Sequence, residues 1–301
     1  MTTFNAAMTA SLKSVVRWVG IIGLMTSVVM LGACSAVKIG YNNVPDLAYW
    51  WLDGYADFNE TQSSRVRDEL LRLHQWHRAT ELPKAAELLQ KTRELVPKEV
   101  SPEQVCSLFA DLRSRLEAVH ARAEPGIVAV AMSLTPAQLS HMEAKFGKAN
   151  SAWRSDWLEG TPEEKLAKRM KSAVERAEQV YGTLEETQLA IVRASIARSG
   201  FDPQLSNAER LRRQQDLLQT LRQITTSRES STLATTALRG YLDRSLNSPN
   251  TAYRAYSGKA LLDSCRATAL LHNSTSVAQR ERAAQRLAAY ERDFRELAAQ
   301  P

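Results

Sequence analysis

At "SPEQ" (101), "TPAQ" (135), "TPEE" (161) and "SNAE" (206) this 301-residue chain places a serine or threonine three residues ahead of a glutamine or glutamate. In such a capping box the hydroxyl accepts the third amide of a helix while the acid or amide side chain reaches back to the first. Donors that a helix start would otherwise leave orphaned are thereby satisfied. The first three boxes add proline at the first helical position, where its missing N–H costs nothing. "NETQ" at 59 and "SVAQ" at 276 are looser versions. Six helix starts in one chain, with no stretch of strict apolar alternation, predict an all-α protein.

The intervals between the starts carry helical periodicity. Val105, Leu108, Leu112, Leu116 and Val119 form one stripe; Leu139, Met142, Phe146, Trp153 and Trp157 form another. A third runs through Leu166, Met170, Ala173, Ala177, Val180, Leu184, Ile191 and Ala194 with no proline, and predicts one long coiled-coil-like helix over about 162–198. Gly200 and Pro203 end it, and further helices are expected near 207–226, 229–246, 250–272 and 277–298. The expected architecture is an elongated bundle of antiparallel hairpins, with a lobe over 59–199, a second over 200–301 and no internal repeat of fixed period.

The first 33 residues are different in kind. Lys13 and Arg17 are their only charges, and an uncharged run follows from Trp18 to Ala33, the layout of a signal peptide. "LGAC", ending at Cys34, resembles the lipobox of bacterial lipoproteins. That resemblance implies diacylglycerol on the Cys34 thiol, cleavage before it and acylation (palmitate among the chains) of the new amino terminus. Attachment would be stable, since it exceeds the two membrane signals usually needed. The other possibility is an uncleaved spanning helix, because the apolar run continues to Val37 and reaches about 20 residues. Ser35, in place of the aspartate that retains lipoproteins at the inner membrane, implies the outer membrane, facing the periplasm. The domain order expected is therefore signal peptide 1–33, anchor and aromatic segment 34–58, then the two lobes.

Loss of the leader lowers the formal net charge from +6 to +4, with basic and acidic residues interspersed as in "RVRDELLRLHQWHRATELPK". That pattern fits solvated helix faces and gives no nucleic-acid footprint. Two body cysteines, Cys106 and Cys265, allow one internal disulfide in an oxidising compartment, or two separate buried thiols. His74 and His77 stand three apart with Glu81 four further on, a spacing that could place all three on one helix face as metal ligands. Against that, two histidines on a helix are commonplace, and no metal site is expected. No nucleophile elbow, zinc-protease, phosphate-loop or dinucleotide motif occurs, so neither cofactor nor catalysis is expected.

"GYNNVPDLAYWWLDGYADF", from Gly40 to Phe58, concentrates Tyr41, Tyr49, Trp50, Trp51, Tyr55 and Phe58 just after the cysteine. Such rings suit a membrane interface. Adjacent Trp50 and Trp51 point about 100° apart on a helix, which favours a buried lid over the bundle. Cys34 followed by Tyr41, Asn42, Asn43, Trp50, Trp51 and Asp53 resembles a family of uncharacterised proteobacterial lipoproteins that carry an all-helical domain of unknown function. The resemblance implies address and fold, and no activity. "LTPAQ" at 134–138 also resembles the LTxxQ element of small periplasmic helical chaperones, with "VSPEQ" at 100–104 as an approximate second copy. The functional expectation is a lipid-anchored interaction or scaffold protein of the envelope with a protein partner; a chaperone-like holder of unfolded clients is the alternative.

Overall fold

The computed structural model describes residues 36–226 and 230–300, and all statements below concern these. Two units are distinguished, Met1–Val44 and Pro45–Pro301. In the first, residues 36–42 are helical, and Asn43 donates from its side chain to the Ile39 carbonyl at 2.7 Å. The second is built from helices with no strand among the described residues.

The helices are α1 (Val44–Ala56), α2 (Glu60–Trp76), α3 (Leu82–Leu95), α4 (Pro102–Ser133), α5 (Pro136–Trp157), α6 (Pro162–Tyr181), α7 (Glu186–Arg198), α8 (Pro203–Thr226), α9 (Ser231–Leu246), α10 (Thr251–Asn273) and α11 (Val277–Ala298). Capping boxes at Asn59, Ser101, Thr135, Thr161 and Ser276 open five of them. Between α2 and α3 the backbone widens into one π-helical turn, His77–Glu81, in which the Leu82 amide bonds to the His77 carbonyl five residues back. Pro83, which has no N–H to offer the preceding turn, accounts for that irregularity.

Two expectations need correction. The continuous helix over 162–198 is a hairpin, α6 and α7. Gly182 takes a left-handed φ of 78°, and a Cβ there would collide with Arg282. Glu185 then opens α7 with its own capping box to Gln188. The apolar stripe is continuous in sequence although only the second arm buries members of its face fully, Gln188 and Val192, while the first keeps Met170, Ala173 and Ala177 half-buried and leaves Leu166 and Val180 exposed. The longest helix is instead α4, 32 residues with Pro125 inside it. The start expected at Ser206 moves to Pro203, the first helical residue, with Asp202 Oδ1 accepting from the Leu205 amide at 2.8 Å. Gly200 does adopt a positive φ of 58°.

Helix α4 bridges two ends of the unit. Its C-terminal half joins α2, α5, α8 and α9 around an extended core containing Val128, Ala131, Leu139, Met142, Leu218, Leu221, Ile224 and Leu238. Its N-terminal half packs on α10 around a far smaller core, Val105, Cys265 and Ala269, beside which α11 lies along α3 and the α6–α7 hairpin closes the side. Segments 59–199 and 200–301 both contribute to each core.

Candidate functional site

The least expected feature is a pair of buried glutamine clasps. Gln62 and Gln138, each the third residue of a capping box, face one another. Gln62 Nε2 donates to Gln138 Oε1 at 3.2 Å and to the Ser133 carbonyl at 2.8 Å; Gln138 Nε2 donates to Gln62 Oε1 at 2.7 Å and to the Asp57 carbonyl at 2.9 Å. Each Oε1 also accepts the amide of its own cap residue, Asn59 or Thr135. Gln188 and Gln279 repeat the scheme, with donations to each other at 2.7 and 2.9 Å, to Ser274 and Thr183 carbonyls at 3.1 and 3.0 Å, and acceptance from Glu185 and Ser276 amides. In all four cases the accepting carbonyl lies two residues before the partner's cap. Glutamate could not replace these residues, because its carboxylate has no N–H to give.

The first clasp pins a groove. Its Asp57 carbonyl sits just beyond α1, and the Asp53 carboxylate accepts the Phe58 amide at 2.9 Å, fixing the turn into α2. Asp57 itself sits at a positive φ of 48°. Between α1, α2, α4, α5, α8 and α9 lies a cavity of about 280 Å³, open to one side and lined by Leu52, Tyr55, Leu73, Ile127, Met142 and Leu238 among others. Its charged members are Glu69, Arg72 and Arg122. Glu69 receives Arg72 Nη2 at 2.6 Å, and its hydrogen bond and charge raise the pKa of that guanidinium. Gly126 leaves room for Glu69, whose side chain would lie 3.0 Å from a Cβ there. Nearby, Glu124 takes both arms of Arg239 at 2.7 and 2.8 Å, which holds its carboxyl below the usual range.

The aromatic segment is not a buried lid. Trp50 is 76% exposed and Trp51 58%, and with Leu47, 58% exposed, they share one face of α1 at positions i, i+3 and i+4. The opposite face supplies Leu52, Tyr55 and Ala56 to the groove, so α1 is amphipathic with an apolar face left outward. Tyr49 bonds Ser63 at 2.9 Å and lies under the Arg67 guanidinium, which also reaches Asp46 at 3.2 Å. Tyr55 packs against Phe146 with the rings tilted by 48° and their centroids 5.5 Å apart. Of the motif residues in the first unit, Tyr41 is half-buried and Asn42 and Asn43 are exposed. Cys34 lies outside the described residues.

Elsewhere, Cys106 and Cys265 form a disulfide, with α-carbons 5.5 Å apart. His74 and Glu81 are buried; Glu81 is held by Lys84 at 2.8 Å and Arg115 at 3.5 Å. Burial lowers the His77 pKa, with Glu81 opposing and His74 adding to the shift. No cluster of three potential metal ligands occurs among the described residues. "VSPEQ" is not the partner of "LTPAQ": Gln104 caps its own helix at the surface, and "FNETQ", residues 58–62, supplies the mate.

Residues 54–239 match DUF6279, a family of unknown function. No curated protein and no solved structure matches the chain. No described helix is long and apolar enough to cross a membrane.

Proposed function

The chain belongs to the DUF6279 family of unknown function, and we propose that it is a lipid-anchored protein of the cell envelope that binds a partner protein, without catalysis, through the groove under α1. The observation that carries this reading is the groove: open, walled by aliphatic and aromatic side chains from six helices, with its charges confined to Glu69, Arg72 and Arg122. Such a trough takes the apolar face of an amphipathic helix, and two arginines against one glutamate favour acidic residues alongside that face. Lipidation at Cys34, 16 residues before Trp50, would hold the outward face of α1 close to the bilayer, where indole rings are at home.

A photo-crosslinker at Ile127, 42% exposed on the groove wall, tests the reading. One predominant adduct is expected, whose purified partner binds the whole chain one to one and at least tenfold more weakly after Leu73→Glu. Many adducts, or an interaction indifferent to Leu73→Glu, would overturn it. The chaperone-like reading draws support from a different observation. Phe109, Leu112 and Leu116 are exposed on α4, as are Leu261 and Leu262 on α10, and exposed apolar side chains are what a holder of unfolded chains would need. It predicts that the whole chain in nanodiscs suppresses light scattering by two unrelated refolding clients. Incorporation of labelled palmitate, lost in Cys34→Ser, checks the anchor.

A further inference from the structure

Opposite the groove's inner wall, α5, α8, α9 and α10 enclose a second cavity of about 400 Å³, lined by Trp153, Arg210, Arg213, Gln214, Tyr241 and Tyr253 among others. Its charge is unbalanced. Glu209, 2% exposed, is the carboxylate of the cavity wall, and its oxygens are taken: Arg212 at 2.9 and 3.0 Å, Arg213 Nε at 2.9 Å and Ser248 at 2.8 Å. Burial pushes the Glu209 carboxyl up, but these donors together hold it below the usual carboxylate range. Arg212 shares Asp216 with Arg244. Glu209 and Asp216 are thus shared among three arginines, Arg212, Arg213 and Arg244, and Arg210, the fourth, is left over. Its Nη1 is buried with no hydrogen-bond partner among the described residues, an arrangement that costs free energy unless an acceptor arrives.

The two cavity guanidiniums stand one turn apart on α8, each against a ring: Arg210 is 5.8 Å from the centroid of Trp153 and Arg213 is 5.4 Å from that of Tyr253. Arg213 spends Nε on Glu209 and lines the cavity. Forked donors of this kind match carboxylate or phosphate oxygens. The rings beside them supply flat apolar faces edged by tyrosine hydroxyls, the surface on which the C–H face of a sugar ring packs while its hydroxyls find partners. We infer that this cavity binds an anionic sugar, a sugar acid or sugar phosphate, with the anion at Arg210 and Arg213 and the ring against Trp153, Tyr241 and Tyr253. Gln214 stays out of the contact, since its amide is paired with Asn150 in both directions.

Calorimetric titration of the whole chain, held in a zwitterionic detergent free of sugar, tests this with four probes: glucuronate, glucose 6-phosphate, glucose and inorganic phosphate. Saturable one-to-one binding is expected for at least one of the first two, at least tenfold tighter than for glucose or phosphate. The preference between them identifies the anion as carboxylate or phosphate. Arg210→Gln should weaken that binding at least tenfold; if it does not fold, Arg210→Lys, which keeps the charge and loses the fork, should weaken it measurably. Trp153→Leu should weaken sugar binding and leave phosphate unchanged. Absence of saturable binding by both anionic sugars, or binding indifferent to Arg210, would overturn the inference. Phosphate binding as tight as glucose 6-phosphate would overturn the sugar assignment.

Discussion

The two glutamine clasps use one hydrogen-bond scheme in two surroundings. Gln62 and Gln138 sit beside the extended apolar core of α4, α5, α8 and α9, and beside the groove. Gln188 and Gln279 sit beside a core of three buried residues, one of them half of the Cys106–Cys265 disulfide. Near them His272, rather than an aliphatic side chain, joins Tyr181 to the Lys98 carbonyl, at 2.9 Å on each side. Where burial suffices, the end of the bundle is left open enough to form a groove. Where it does not, the chain is tied by a covalent bond and a polar bridge.

The largest effect should come from breaking that tie. Cys106 and Cys265 are 159 residues apart, and the chain-entropy treatment of such a loop gives an upper figure of about 5 kcal/mol. Cys106→Ser with Cys265→Ser should lower stability by several kcal/mol, read by denaturant unfolding. Hydrogen exchange should show α10 and the first half of α4 opening first, with α5 and α8 still protected. Simultaneous opening of both ends would dissolve the distinction between them.

Next come the clasps themselves. Gln62→Leu or Gln188→Leu strands its partner amide and two backbone groups, which costs about 1–3 kcal/mol. In a double-mutant cycle, Gln62 with Gln138 and Gln188 with Gln279 should couple by about 0.5–3 kcal/mol, and Gln62 with Gln188 by nothing measurable. Equal costs at both sites would mean that the clasp is indifferent to the core around it.

These clasps mark where legibility in the sequence ended. The caps disclosed the all-α class because each is a local device whose letters name its geometry. The clasp joins two caps 76 or 91 residues apart, and no local spacing carries that. Its fourth member also begins with Glu185, outside the serine and threonine pattern, and the same oversight produced the single helix over 162–198. Trp50 and Trp51 were expected inside because neighbours about 100° apart on a helix suit a buried element better than a one-sided interface; the groove-facing side of α1 takes Leu52, Tyr55 and Ala56 instead. Arg210 carried no signal, as an arginine on a predicted helix reads as surface until its nitrogen is found buried.

A smaller effect should separate the two ends by pH. His272 donates from Nε2 to the Lys98 carbonyl and accepts at Nδ1 from the Tyr181 hydroxyl, the neutral form; burial is the main cause that lowers its pKa, opposed by its hydrogen bond to the Lys98 carbonyl. The unfolded chain takes up its proton below about pH 6.5 while the folded chain resists, so stability is full above that value and falls as pH drops toward the folded pKa. Thermal unfolding between pH 7.5 and 5.5 should show this slope, reduced in His272→Gln with His77 supplying the remainder. Exchange at pH 5.5 should accelerate around α10 before α5. An unchanged slope in His272→Gln would place the sensitivity elsewhere.

The smallest effect on stability belongs to the most conspicuous residues. Trp50 and Trp51 project from the outward face of α1, so Trp50→Ser with Trp51→Ser should change unfolding free energy by no more than about 0.5 kcal/mol, as for other surface sites. A loss above that would mean the rings are covered by more than the one contact Trp51 makes, with the Tyr55 ring at 5.1 Å. The same double variant should nevertheless lose a large part of the tryptophan quenching produced by brominated lipid when the whole chain is reconstituted in vesicles. Trp153 and Trp157, on α5, belong to the body and serve as the unquenched reference. Quenching that persists without Trp50 and Trp51 would remove α1 from the bilayer and leave its outward face to a protein. The apolar character of that face would then belong with the groove on its other side, as two surfaces of one docking helix.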